Sequence, residues 1–236
     1  NGHTVNLAMQ IKPDSFHRID LESSARFNSS DAINSSLTNA NSLTGVPRNT
    51  IEQNDKNIND LTDLSLRGVF TKRLRKPGRI FSFEASYGNT ENETDYFLDR
   101  TSLFYTNNIL DSILQDQISL SDNNNYRIYT EYKEPLGKKN YLGLGYSKRN
   151  YRSLQNKDFY TVDFLDPNKL TLNELLSSLS DNNVGYDRAS LIYTKDDEKY
   201  SINVDLVYQR SLISGSDDNP GSVPLEKVYN YFLPSF

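Results

Sequence analysis

Charged side chains alternate with apolar ones along several stretches of this sequence, and these charges are its main candidates for chemistry. In the stretch after Pro13, for example, Ile19 and Leu21 are flanked by acidic and basic residues. Successive side chains of a β-strand point to opposite faces, so this spacing collects the charges on one face. Such a face suits water or a polar solute. The residues predicted to form this interior-facing polar wall are Arg18, Asp20, Glu22, Arg26, Arg67, Glu84, Arg127 and Glu131.

Arrangements typical of catalysis or metal binding do not emerge from the rest of the sequence. His3 and His17 lack metal-ligand spacing to each other and are predicted to be solvated. Residues 217–221 (DDNPG) carry oxygen ligands of the type that Ca²⁺ prefers, but they lack EF-hand spacing and predict a loop turn. We find no Ser-His-Asp set, paired carboxylates or Gly-rich phosphate loop. The chain is therefore predicted not to be an enzyme and to hold no cofactor or metal.

Composition excludes several classes of protein. The 236 residues carry a net charge of -5, and Lys and Arg are scattered, so a nucleic-acid groove is not expected. There is no Cys, which excludes disulfides and thiolate sites. Mean hydropathy is -0.69, and no apolar run approaches the roughly 20 residues of a transmembrane helix. This excludes only a helical membrane protein, because a transmembrane β-strand is apolar in every second residue.

The elements that must position the charged residues are β-hairpins. In residues 126–151 two alternating arms flank a turn at 134–139 (EPLGKK). Similar hairpins turn near residues 14, 77 and 197, so that a hairpin recurs about every 60 residues. Pro77 and Gly78 at the centre of one turn predict type II geometry.

Long polar segments separate the hairpins, and they are rich in Asn, Ser, Thr and Asp. Residues 28–62, 89–125, 152–186 and 211–226 are each predicted to be irregular loops. Within them, residues 108–114 predict a short amphipathic helix, with a strand as the alternative. The capping-box spacing that begins at Thr171 predicts a second helix of about two turns, extending to Leu179.

Short turns at one end and long loops at the other are typical of an antiparallel, up-and-down, transmembrane β-barrel. Arms of about ten residues rise roughly 33 Å, enough to cross an apolar band of about 25 Å when tilted. A soluble β-sandwich or solenoid is the alternative, but neither explains why the long loops lie on one side. The sequence therefore predicts an all-β fold, with short periplasmic turns and long extracellular loops.

Several segments resemble one known family. Residues 72–83 (KRLRKPGRIFSF), 129–136 (YTEYKEPL), 203–208 (NVDLVY) and 231–235 (YFLPS) resemble hairpin and strand motifs of the TonB-dependent-receptor-like outer-membrane β-barrel proteins of Bacteroidetes. The resemblance extends over nearly the whole chain as a strand pattern with few fixed residues. It implies a large barrel, of the 22-stranded kind, that carries a plug.

The resemblance implies that residues 1–236 are a mid-barrel fragment of about eight to nine strands, within one barrel domain and without a plug. The implied function is import of a nutrient across the outer membrane, where the seven residues Arg18, Asp20, Glu22, Arg26, Glu84, Arg127 and Glu131 would face the lumen. The implied partners are the lipid bilayer, lipopolysaccharide, the rest of the barrel, a plug domain, and a TonB complex or surface lipoprotein. A structural, secretion-associated or adhesion-associated barrel is the alternative. A barrel enzyme would need a nucleophile and base that this chain lacks.

Overall fold

The computed structural model describes residues 1–163, 165–166, 169–197, 199–218 and 223–235. Within these ranges the chain forms β-strands and no helix, so none of it provides a helix able to cross a membrane. The ten strands are β1 (Gly2–Ile11), β2 (His17–Asn41), β3 (Pro47–Arg73), β4 (Ile80–Phe104), β5 (Ile109–Pro135), β6 (Asn140–Val162), β7 (Leu170–Leu172), β8 (Ser178–Asp196), β9 (Ser201–Asp217) and β10 (Leu225–Ser235).

All ten strands belong to one antiparallel sheet. Its order is β1-β2-β3-β4-β5-β6-β8-β9-β10, with the short β7 paired to β6. The prediction of an all-β, up-and-down fold is therefore confirmed. In the described part of the chain β1 and β10 do not pair with each other, so the sheet is open and has two free edges.

The sheet is a single layer with almost no interior of its own. Among the described residues, the buried apolar side chains are Pro135, Val162 and Val207. The accessible surface is 16067 Å², whereas a compact monomer of 27.0 kDa exposes about 11,000 Å². The apolar residues are thus not packed into a closed core, and the sandwich alternative is not supported.

The predicted short turns occur at one end of the sheet. Turns join β1 to β2, β3 to β4, and β5 to β6, and β8 and β9 are joined at the same end, although Glu198 lies outside the described residues. In the second turn Gly78 has φ of 82°, and the Arg79 amide donates to the Lys76 carbonyl at 3.0 Å. Positive φ at the third position is the requirement of a type II turn, so that prediction is confirmed.

The four long loops were wrongly predicted, because these segments are mostly extensions of the strands. The pairing of β2 with β3 continues without a break from Asn28↔Leu61 to Ala40↔Asn49. The chain reverses only at residues 42–46, where Gly45 has φ of 80°. Residues 89–125 and 152–186 likewise lie mainly in β4, β5, β6 and β8, and 211–217 complete β9.

Polar side chains join neighbouring strands in these extensions. Asn34 donates to Asp55 at 2.9 Å, Thr94 donates to Asn59 at 2.9 Å, and Asn89 donates to Asp122 at 2.8 Å. In the extension of β2 and β3 most side chains on both faces are polar, so the sequence has no apolar alternation there. The period-two signal that identifies a half-buried strand is therefore missing.

Both predicted helices are wrong, and the strand that was the alternative for residues 108–114 is confirmed from Ile109 onward. Asn108, with φ of 51°, ends the turn between β4 and β5, and Ile109 pairs with Phe104, so 109–114 is the start of β5. In the second segment, Asn173 rather than Thr171 caps a single turn. The Leu176 and Ser177 amides donate to its carbonyl at 3.1 and 3.0 Å. The chain then enters β8 instead of continuing as a helix.

Candidate functional site

The strand register sorts the side chains near the short turns into two chemically different faces, because directly paired residues share a face. We call one of them the band face. It carries between two and four apolar residues on each of eight strands, and together these residues form the apolar band. The members of the apolar band are Val5, Leu7, Met9, Ile11, Ile19, Leu21, Leu64, Leu66, Phe70, Phe81, Phe83, Ala85, Tyr87, Tyr126, Ile128, Tyr132, Leu142, Leu144, Tyr146, Ala189, Leu191, Tyr193, Ile202, Val204, Leu206 and Tyr208.

Many residues of the apolar band are open to the surroundings. Leu7 is 65% exposed, Leu144 is 54% exposed and Tyr208 is 50% exposed. An apolar surface that extends across eight strands is much larger than the few hundred Å² that soluble monomers usually expose. The band face therefore needs an apolar covering.

The apolar band slopes across the sheet and is equally wide on β1 and on β9. On β1 it runs from Val5 to Ile11, and on β9 it runs from Ile202 to Tyr208. The row of pairs that begins at Val5 reaches β9 at Ser214, six residues away from Tyr208. Six residues are about 20 Å along a strand, and the seven steps between these strands cover about 34 Å, so the slope is about 30°.

Tyrosines mark both borders of the apolar band. On the side of the strand extensions the first band residue is a tyrosine on four strands: Tyr87, Tyr126, Tyr146 and Tyr208. On the side of the short turns, Tyr132 and Tyr193 occupy the border. Tyrosine has an apolar ring and a polar hydroxyl, so these positions suit a boundary between an apolar medium and water.

The opposite face, which we call the ion-pair face, carries every residue that the sequence predicted to face an interior. Four of them form a network of alternating charge across β2 to β5. Arg67 contacts Glu22 and Glu84 at 3.2 Å each, and Arg127 contacts Glu84 at 3.4 Å. The residues that the register places on this face are Arg18, Asp20, Glu22, Arg26, Arg67, Glu84, Arg127 and Glu131.

The remaining predicted residues lie outside this network. Arg18 pairs with Asp20 at 2.7 Å, and Arg26 pairs with Asp63 at 3.2 Å. Glu131 accepts a hydrogen bond from the Tyr129 hydroxyl at 2.6 Å. The structure therefore places all the predicted charges on one face but brings only half of them into a single cluster.

A cavity of about 600 Å³ lies next to this network on the same face, between β5 and β9. We call it the arginine cleft. At the level of the cleft, the band-face residues Ile128 and Tyr146 are exposed, whereas Arg127, Tyr129, Ser147 and Arg149 on the ion-pair face are half-buried. Its lining residues are Arg127, Tyr129, Ser147, Arg149, Tyr151, Tyr186, Arg188, Ser190, Ile192, Asp205, Val207 and Gln209.

Sequence reasoning found Arg127 but missed the rest of the cleft. The signal was present as an Arg and a Tyr two residues apart on three consecutive long strands: 127 and 129, 149 and 151, 186 and 188. Side chains two apart on a strand share a face, so each pair is brought together. The Arg127 guanidinium lies 5.2 Å from the centre of the Tyr129 ring, and that of Arg149 lies 5.6 Å from the Tyr151 ring.

Several polar atoms of the cleft lack partners. The Nε atom of Arg127 and the Oδ1 atom of Asp205 are buried without a hydrogen bond. Arg188 is held by Gln209, to which its Nε and Nη2 atoms donate at 3.2 and 2.8 Å. Within the part of the chain that the structure describes, Arg149 has a ring contact but no ion pair or hydrogen bond.

No protein-family model matches this chain, and no curated protein or solved structure is similar enough to match it. These comparisons therefore do not support membership of the TonB-dependent-receptor-like family, which stays a prediction from the hairpin and strand motifs.

A second cluster of charges connects two short turns. Glu134 is the last band-face residue of β5 and lies opposite Leu142, next to the β5–β6 turn. It receives hydrogen bonds from Arg79 Nε at 2.7 Å, Lys76 Nζ at 2.6 Å and the Tyr132 hydroxyl at 2.7 Å. These donors, Arg79 foremost, lower the pKa of Glu134 to about 2. The cluster fixes the β3–β4 turn against the end of β5.

In the strand extensions the pKa of one carboxyl group is raised, whereas that of Glu134 is lowered. Burial, and next the neighbouring Asp95, raise the pKa of Asp116 to about 6.

Among the described residues no group of three or more potential metal ligands occurs. His17 Nδ1 lies 2.8 Å from Asp14 Oδ2 in the β1–β2 turn, and His3 lies on β1 opposite Phe27. Residues 219–221 of the predicted DDNPG turn lie outside the described residues.

Proposed function

We propose that this chain is one section of the wall of an outer-membrane β-barrel, and that the barrel imports a nutrient as TonB-dependent receptors do. The observation that carries the proposal is the apolar band, exposed on one face and bordered by tyrosines. In outer-membrane barrels the strands are tilted by about 35–45°, and aromatic girdles flank an outward apolar band about 25 Å tall. The slope of about 30° follows from such a tilt, because a level membrane crosses successive tilted strands at different residues.

Lipid is the covering that the shape of the apolar band favours. A protein partner would need a matching apolar surface that spans eight strands. A bilayer presents an apolar layer at the same level to all of them. Where the band is widest, on β1, β3, β4, β5 and β9, its seven residues span roughly 20 Å. The first turn residues and the strand residues just past the tyrosines supply the rest of the crossing.

The ion-pair face then lines the inside of the barrel. Charged pairs such as Arg67 with Glu22 are half-exposed, which suits a water-filled lumen. An eight-stranded barrel has an interior just wide enough for side chains, so it would leave no room for a cleft of about 600 Å³. The open edges at β1 and β10 need further strands, since lipid cannot satisfy exposed backbone groups. Both features support a wider barrel completed by the rest of the protein.

One observation favours the alternative of an adhesion or scaffold barrel. The hairpin of β2 and β3 continues for about 13 residue pairs past the apolar band, which is roughly 43 Å of paired strand. A stiff projection of that length suits contact with another surface. The two functions differ in transport, since an importing barrel accumulates solute in cells and stops when the proton gradient is dissipated.

Cysteine labelling of intact cells tests the proposed membrane topology. We expect a membrane-impermeant maleimide to label Asn54→Cys in the β3 extension, and to label Lys76→Cys and Lys138→Cys in the short turns only after permeabilisation. Asn219, on the same predicted outer side as Asn54, lies outside the described residues. Equal labelling of Asn54→Cys and Lys76→Cys in intact cells would contradict the proposal.

A further inference from the structure

We infer that the arginine cleft binds a solute carrying a carboxylate or phosphate group, an inference that rests on the proposed import function. The first observation is a contact between like charges. Arg127 and Arg149 are directly opposite each other on the paired strands β5 and β6, and both point to the ion-pair face. Directly opposite side chains have Cβ atoms about 4.5–5.5 Å apart, where like charges destabilise the sheet.

The Arg127–Arg149 pair interrupts an otherwise complementary pattern. From β2 to β5 the network alternates in sign through Glu22, Arg67, Glu84 and Arg127. The next charge on β6 is again positive, and Glu84 already serves two guanidinium groups. One negative group is therefore missing at this point of the network, and an anion between Arg127 and Arg149 would supply it.

The cleft also contains donor groups without partners. Arg127 Nε is buried without a hydrogen bond, and Arg149 has no polar partner in the described part of the chain. Arg188 lies on the next strand, diagonal to Arg149, where Gln209 holds it in position. Planar guanidinium groups with open N–H groups match the oxygen pairs of a carboxylate or phosphate.

The other lining groups indicate how the rest of the solute is held. Tyr151 and Tyr186 meet edge to face, with ring centres 6.3 Å apart, and offer apolar surface beside the guanidinium groups. Asp205 lies toward the short turns and has a buried, unpartnered Oδ1 atom, which can accept a hydrogen bond from a hydroxyl or ammonium group. A volume of about 600 Å³ is that of a small-molecule pocket. A sugar acid or sugar phosphate has this combination of groups.

The test uses the complete protein that contains this chain, purified in detergent. Calorimetric titration compares glucuronate and glucose 6-phosphate with neutral glucose. We expect the two acidic sugars to bind and glucose not to bind. In Arg149→Gln we expect the affinity for the acidic sugars to fall by about tenfold to a hundredfold, the effect of losing a charge-assisted hydrogen bond. Arg152→Gln is the matched control, because Arg152 lies on the band face and pairs with Asp181 at 2.7 Å.

Thermal unfolding gives a readout that does not depend on the choice of sugar. Removing one of two opposed positive charges should raise the melting temperature of Arg149→Gln in the absence of anions. Phosphate stabilises folded proteins more than chloride does even without a binding site, so the readout is the excess: at the same ionic strength the difference between the two salts should be smaller in Arg149→Gln than in the wild type and unchanged in Arg152→Gln.

The inference is overturned if no acidic sugar binds, if glucose binds equally well, or if Arg149→Gln binds as the wild type does. Heat-modifiable migration in gel electrophoresis reports separately whether a barrel has formed. If a barrel forms but does not bind anions, only the anion site is overturned. If no barrel forms, the proposed function is overturned as well.

Discussion

The region of the apolar band and the strand extensions share one backbone ladder but differ in their side chains. Near the short turns each strand has an apolar face and a charged face. In the extensions both faces carry Asn, Asp, Ser and Thr, which form hydrogen bonds between strands, as Asn34 does with Asp55. The difference teaches that the ladder alone does not decide the surroundings of a sheet. In the proposed barrel the band region has an apolar medium on one side, whereas the extensions lie in water and bond their polar side chains to each other.

The largest expected effect concerns the edges of the band region. We predict that residues 1–236 alone do not form a stable monomeric barrel. The reason is that β1 and β10 each have a neighbour on one side only, so the backbone groups along their outer edges are unpaired. The measurement is refolding into detergent, followed by gel electrophoresis with and without heating and by protease digestion. The complete protein serves as the control. A heat-modifiable, protease-resistant monomer of the isolated segment would show that the edges close on themselves.

A single charge in the apolar band should have the next largest effect. Leu144→Arg introduces a charge in the middle of the band on β6, where the cost in a bilayer is about 2–4 kcal/mol of folding free energy. The matched control is Leu37→Arg in the β2 extension. Leu37 lies on the same face, is 65% exposed, and is opposite Glu52. Urea titrations of the complete protein in liposomes should show a loss for Leu144→Arg and almost none for Leu37→Arg. Equal effects would remove the distinction between the two regions.

Acid should weaken the band region at the short turns. The pKa of Glu134 is lowered to about 2 by Arg79, Lys76 and Tyr132, compared with about 4.3 in an unfolded chain. The ionised carboxylate therefore stabilises the folded state above the unfolded pKa, and this contribution is lost as the pH falls from about 5 to about 2. Glu134→Gln should show a smaller loss of stability over this range. Identical pH profiles for the two proteins would exclude a role for the cluster.

The smallest expected effect is in the extensions, where one carboxyl group should lower the stability as the pH rises rather than as it falls. The pKa of Asp116 is raised to about 6, mainly by burial and then by Asp95. The protonated form is favoured in the folded state, so its contribution is present below about pH 4 and is lost as the pH rises through about 6. Asp116→Asn should therefore stabilise the extension near pH 7 but not near pH 4. Protease susceptibility of the extensions at the two pH values checks this, and a gain at pH 4 would contradict it.

The sequence predicted the band region well and the extensions poorly, for a physical reason. Around residues 126–151 one face is apolar, so the alternation reveals the strands, the turn and the facing of Arg127. In residues 28–62 most side chains on both faces are polar, so the composition does not distinguish a polar strand from a loop. The strands there depend on partners far along the chain, such as Asp55 for Asn34. The cleft was missed because its residues lie on strands separated by long segments, and only the register brings Arg149 opposite Arg127.

The most direct test of the central claim is the medium on each side of β4, measured with spin labels in the complete protein reconstituted in liposomes. Labels at Phe83 and Ala85 lie on the band face, and labels at Ser82 and Ser86 lie on the ion-pair face. We predict that apolar oxygen collides most with labels at 83 and 85, and that a water-soluble nickel complex collides most with labels at 82 and 86. High accessibility to the nickel complex at all four positions would place water on both faces and contradict the membrane barrel.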